Sequence, residues 1–173
     1  MEDDLILVNE NDVEIGTMPK LLAHQLGRLH RAFSIFIFND KKELLIQQRA
    51  LHKYHSAGQW ANSCCSHPKP NENTQDAALR RLQEELGFIT PLTYVDSLIY
   101  KADVNGGLIE HEYDHLYVGF YNQAIQPNIE EVAAVRWVTI PQLLHEINQQ
   151  PDIFTPWFKK ILIKYPSLNF ELS

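Results

Sequence analysis

The order of β-rich and helical segments constrains this chain most: strand-like runs come in adjacent pairs, with few helices between them. Residues 33–38 and 44–48 read as buried strands joined by the turn Asn39-Asp40-Lys41-Lys42, which predicts a hairpin. Residues 94–102 and 108–121 are β-rich runs around Asn105-Gly106-Gly107, whose tolerance of positive φ suits a tight connection between antiparallel strands. Residues 5–9 predict an earlier buried strand and residues 135–138 a short late one. Such pairing points to an α+β sandwich rather than a doubly wound parallel sheet.

The clearest helix is predicted over residues 74–86. Ala78, Leu79, Leu82 and Leu86 share one stripe there, Asp76 sits in the first turn, and Gly87 is available as the stop. A second helix is expected over residues 141–148. Thr155 as N-cap and Pro156 as a first-turn proline predict a last helix starting at Trp157, where Trp157, Phe158, Ile161 and Leu162 recur at helical spacing. A length of 173 residues with 45% hydrophobic content supports one sizeable core, so a single domain over 1–173 is expected. The nine prolines are scattered, and no repeat or linker divides the chain.

Several function classes are disfavoured. No run approaches the roughly 18 to 20 apolar residues of a membrane span, and the start Met1-Glu2-Asp3-Asp4 lacks a basic n-region, so a cytoplasmic, soluble protein without membrane partners is expected. The two cysteines, Cys64 and Cys65, are adjacent and make a poor staple, which implies reducing surroundings. A formal charge of −7 argues against nucleic-acid binding, because phosphate neutralisation needs a basic field. Any anionic substrate must therefore meet a local basic pocket.

The run Arg80-Arg81-Leu82-Gln83-Glu84-Glu85-Leu86-Gly87 resembles the diphosphate-handling Nudix box, G-x5-E-x7-R-E-U-x-E-E-x-G-U. Glu72, Arg80, Glu84 and Glu85 fall on box positions, while Ser66 stands at the first glycine and Arg81 at a glutamate. In hydrolases of that superfamily the clustered glutamates hold metals that activate water, so an arginine in their place weakens a hydrolytic reading. The alternatives at this point are a Nudix hydrolase of a nucleoside diphosphate derivative and an ordinary solvated helix face.

Other segments bear on the choice. Strand residues two apart project to one face, so Glu110 and Glu112 should converge, and two like charges at that spacing call for a cation or a shared proton. Upstream lie Asn62-Ser63-Cys64-Cys65-Ser66-His67-Pro68 and Leu29-His30-Arg31-Ala32-Phe33-Ser34. Together with Tyr100 and Glu110-His111-Glu112, these segments resemble the cysteine, early-histidine and E-x-E motifs of type I isopentenyl diphosphate isomerases, over roughly residues 8–158.

That resemblance implies a Nudix-like α/β/α sandwich with mixed and antiparallel strands, acting on a small-molecule diphosphate; a monomer is expected. It implies a metal site of His24, His30, His67, Glu110 and Glu112, holding Mn or Zn among the candidate ions. It further implies a Mg that bridges the substrate diphosphate, bound by Glu85 with the backbone carbonyl of Cys65. Lys20, Arg49, Lys53 and Ser66 would hold the diphosphate. Cys65 and Glu112 would move protons, assisted by the Tyr100 hydroxyl, while Trp157 faces a developing cation. Cys64 suits an inert, buried role. His52, His55, His111, His115 and His145 carry no matching motif.

Overall fold

The computed structural model describes residues 4–53 and 55–170; the acidic start up to Asp3 lies outside them. In chain order the elements are β1 (Asp4–Val8), β2 (Glu14–Pro19), α1 (Lys20–Leu26), β3 (His30–Phe38), β4 (Glu43–Arg49), β5 (Trp60–Ala61), β6 (Cys64–Ser66), α2 (Thr74–Leu86), β7 (Thr93–Val104), β8 (Leu108–Phe120), β9 (Val132–Thr139), α3 (Ile140–Gln149) and α4 (Pro156–Lys164). The strands join in one mixed sheet centred on β3. Strand β3 runs parallel to β8 from His30 opposite Glu112 to Phe38 opposite Phe120, and antiparallel to β6, with Ser34 opposite Cys65. Strand β7 pairs antiparallel with β8, and β9 with β4.

Of the two expected hairpins, β7–β8 pairs along nearly its whole length, whereas β3 and β4 meet only at Phe38 opposite Leu44 before β3 turns to β6 and β8 and β4 to β9 and β5. The β3–β4 turn is held by Asn39, whose side-chain oxygen accepts from the backbone N–H of Lys41 and of Glu43. The β7–β8 connection is a tight turn over Asn105–Gly107 in which Gly106 and Gly107 both take positive φ, as the sequence leads one to expect. Helix α2 starts where Asn73 caps the backbone N–H groups of Gln75 and Asp76, and stops at Gly87 with φ 78°.

Alternation along β3 divides the core. Phe33, Ile35 and Ile37 face α2 and meet Ala78, Leu82 and Leu86, whereas Phe36 faces the opposite layer with Leu143, Phe158 and Ile161. Helices thus cover both faces of the sheet, the α+β sandwich expected. Leu79 lies at the margin of the α2 stripe, partly buried, and Ala77 takes its place inside.

The expectations differ from the structure in detail. Helix α4 begins at Pro156 rather than Trp157, and Thr155 occupies the cap position without a side-chain cap bond. Proline at the first helical position needs no N–H partner, which is why the helix already includes it. The β1–β2 hairpin, α1, β5 and β6 carry no adequate sequence signal. Strand β2 has no buried residue, and α1 is a seven-residue helix whose N-cap is Pro19 with no side-chain bond. Among the described residues no helix is long and apolar enough to cross a membrane.

Two left-handed glycines separate backbone strain from crowding. A Cβ at Gly87 would lie 2.6 Å from the backbone oxygen of Gln126, whereas at Gly106, with φ 80°, it would meet nothing within 4 Å. Gly106→Ala should therefore cost about 1–2 kcal/mol for the backbone conformation alone, and Gly87→Ala distinctly more. Equilibrium denaturant unfolding of the two variants checks the order.

Candidate active site and metal centre

Register assembles the site. Because β8 alternates buried and half-buried residues, Glu110, Glu112 and Asp114 project together into one face of the sheet. The parallel pairing sets His30 opposite Glu112, and the antiparallel pairing sets Tyr100 opposite the same residue from β7. Helix α1 brings His24, fully buried, and the chain after β6 brings His67. One ligand atom from each of His24, His30, His67, Glu110 and Glu112 lies within 4.8 Å of all the others.

The contacts inside this cluster are close. Glu112 Oε2 lies 3.2 Å from His30 Nε2 and 2.9 Å from His67 Nε2, and the Tyr100 hydroxyl donates to Glu112 Oε1. His24 Nε2 stands 3.9 Å from Glu110 Oε1. His30 Nδ1 lies 2.9 Å from the carbonyl oxygen of Arg28, which can only accept, so Nδ1 carries a hydrogen. The Nε2 of a neutral His30 ring then points a lone pair at Glu112, an arrangement that needs a proton or a cation between the two atoms. Glu110 Oε2 is buried without a hydrogen-bond partner among the described residues.

Electrostatics agree with a cation at this point. Burial pushes the Glu110 carboxyl well above its ordinary range, and the neighbouring Glu112 adds to it. Burial acts on Glu112 in the same direction, but hydrogen bonding to His30 and His67 outweighs it and holds that carboxyl low. Burial also lowers His24 to about 3, helped by the His67 and His30 rings, and lowers His67 to about 4. Both rings are therefore neutral near pH 7, the form that ligates metal. Three imidazoles and two carboxylates fit a divalent transition ion.

The two cysteines point to opposite faces of β6. Cys64 is fully buried under α2 and donates to Glu85 Oε2 at 3.4 Å. Cys65 faces the cleft, where its sulfur accepts from Trp157 Nε1 at 3.1 Å and lies 2.9 Å from Asn62 Oδ1 and 3.6 Å from Ser34 Oγ. The Asn62 amide is fixed by donating to the backbone oxygens of Ile35 and Cys64, so its oxygen is the atom that meets the thiol. Burial raises the Cys65 thiol well above its usual range, and Cys65 stays protonated. Ser34 in turn donates to Asp114 Oδ2 at 2.7 Å.

Part of this set borders one cleft. Lys20, Arg49 and Lys53 line it together with Cys65, Ser66 and Trp157, and so do Glu85, Glu110, Glu112 and His67. His24, His30 and Tyr100 lie buried behind it. Burial, Lys53 and Arg49 all lower the Lys20 ammonium, as expected where cations converge on a place for an anion. The Arg49 guanidinium sits 5.1 Å from the centre of the Trp157 ring. Glu85 accepts from Gln47 and from Arg81, and Arg81 also reaches Glu84 and Glu131.

Some members were missed from sequence. Asp114 shares the two-residue period of Glu110 and Glu112, and that period was a sufficient signal. Asn62 sits inside the quoted cysteine segment. His55, 3% exposed with Nε2 3.3 Å from Glu110 Oε1, and Glu131 both come from loops whose course no local pattern announces.

Comparison with known proteins agrees with this geometry. The NUDIX domain family matches residues 28–158. An isopentenyl-diphosphate Delta-isomerase of Burkholderia multivorans is 51% identical over 158 residues, covering 91% of this chain and 90% of the relative. One of Serratia proteamaculans is 52% identical over 162 residues, covering 94% and 90%. A crystal structure from Deinococcus radiodurans superposes with TM-score 0.79 at 18% identity, covering 96% of this chain and 100% of that one. A MutT NUDIX hydrolase from Burkholderia pseudomallei does so with TM-score 0.62 at 17% identity, covering 82% and 98%. At such identities the two structures speak for the fold alone. With a NUDIX domain over most of its length and relatives at about half identity across nearly all of it, this chain belongs to the isopentenyl-diphosphate Delta-isomerase family.

Proposed function

We propose that this protein interconverts isopentenyl and dimethylallyl diphosphate, with Cys65 and Glu112 as the proton-handling groups. The observation that carries the reading is a single cleft bordered by a protonated thiol, a histidine-bound carboxylate and three convergent cations. One of the two groups adds a proton to the terminal CH2, and the other removes one from C2, through a tertiary carbocation-like state. The Tyr100 hydroxyl, bonded to Glu112, holds that carboxylate and relays its proton. Trp157 presents its ring to the developing positive charge, an attraction on the order of 1 to 2 kcal/mol when water is excluded.

Lys20, Arg49, Lys53 and Ser66 bind the diphosphate in this reading, arginine through paired donors and the lysines as movable charges. His24, His30, His67, Glu110 and Glu112 would hold Mn2+ or Zn2+, and Glu85 with the Cys65 carbonyl a Mg2+. Bound ions would supply charge compensation at the buried acids and at the diphosphate. The protein is proposed to act as a single-domain monomer in the cytoplasm. A hydrolase reading is less well supported, because Arg81 replaces a box glutamate and forms an ion pair with Glu85.

Incubated with Mg2+ and Mn2+ in deuterated water, the purified protein should convert isopentenyl diphosphate to its allylic isomer with deuterium in the product. Phosphate release without exchange would instead select the hydrolase. Cys65→Ala and Glu112→Gln should each lower turnover by about 10²–10⁴-fold or more while remaining folded by circular dichroism. Cys64→Ala should keep most activity.

Chelator treatment should abolish isomerisation, and readdition of Mn2+ or Zn2+ together with Mg2+ should restore it. If Mg2+ alone restores full activity, the assignment of Mn2+ or Zn2+ to the histidine site is wrong; the measurement is an initial rate after metal replacement.

A further inference from the structure

The loop between β4 and β5 presses one more ionisable ring against the cluster, and nothing in the chemistry above uses it. His55 is 3% exposed, and its Nε2 lies 3.3 Å from Glu110 Oε1. Its ring centre is 5.5 Å from that of His24 and 5.9 Å from Trp157, meeting the indole edge-on at 86°. The same loop supplies Lys53 to the basic side of the cleft.

The position of His55 is set from outside the metal cluster. Arg49 donates to its backbone oxygen at 3.3 Å, and the N–H of Gly58 closes the loop onto Arg49 at 3.1 Å. The next residue, Ser56, adopts φ 53° and donates its N–H to Asn105 Oδ1 at 2.7 Å, tying the loop to the β7–β8 turn. A ring so anchored can fix the carboxylate that it touches. The carboxylate concerned is the one whose other oxygen, Oε2, is buried without a hydrogen-bond partner among the described residues. Groups that hydrogen-bond a ligating carboxylate set its orientation and tune its affinity for the ion.

We infer that His55 is a positioning residue for the metal centre: its Nε2–H holds Glu110 Oε1 and orients that carboxylate toward the ion, without ligating it. This rests on the metal-site reading above. Through its contact with Trp157, whose Nε1 donates to Cys65, the same ring links the acidic side of the cleft to the thiol side.

The test is Zn2+ affinity of the chelator-stripped full chain, measured against a chromogenic competitor chelator, with the thermal midpoint of each metal-free variant alongside. His55→Phe keeps a ring against Trp157 but has no donor, and it should bind Zn2+ roughly 10–100-fold more weakly than wild type. His55→Gln, with an amide donor that reaches Glu110, should recover most of that loss. His52→Ala, an exposed change on the same loop, should leave affinity unchanged. Wild-type affinity in a folded His55→Phe overturns the inference. Loss as complete as in His67→Ala overturns it differently, by making His55 a ligand. If wild type takes up no Zn2+, or His67→Ala binds as wild type does, the metal site itself falls and this inference with it.

Discussion

Three carboxylates buried along one face of β8 set the terms for everything around them. Glu110, Glu112 and Asp114 are each less than a tenth exposed, and in a medium of low effective dielectric they repel one another strongly. Each is answered by a different neighbour. Glu112 takes His30, His67 and Tyr100, Asp114 takes Ser34, and Glu110 takes His55 with His24 nearby. The parallel pairing of β3 with β8, the short helix α1 and the loop after β4 all serve to deliver those partners.

The sheet also sorts chemistry by face. Because neighbouring residues in a strand point in opposite directions, Cys64 goes to the apolar layer under α2 and Cys65 to the cleft. Their different surroundings then give the same functional group two characters. The Cys64 thiol ends on Glu85 in a closed core, while the Cys65 thiol meets Trp157, Asn62 and Ser34 beside the acids. Trp157 is both a core residue of α4 and a wall of the cleft, so the helical spacing and the functional resemblance describe the same side chain truthfully.

Much of this was legible before folding. The β7–β8 hairpin, the turn at Asn39, the helix ending at Gly87 and the convergence of Glu110 with Glu112 follow from periods of two and 3.6 residues and from turn chemistry, all of which are local. The segments around His30, Cys65 and Glu112 were recognisable as a set because each is short and contiguous. Helix α1 and strand β2 were not, since seven helical residues without a side-chain cap and a strand with no buried position leave no periodic trace. Asp114 was within reach of the same alternation that revealed its two neighbours.

The amino-acid order by itself determined which residue types are available, most of the local elements that carry them and the alternation that sets Glu110 beside Glu112, because these depend on neighbours along the chain. Only the tertiary structure decided that β3 runs parallel to β8, so that His30 meets Glu112 eighty-two residues away, and that His55 reaches Glu110. Those contacts are set by burial and charge compensation between distant segments, and such forces leave no mark on the spacing of residues within either segment.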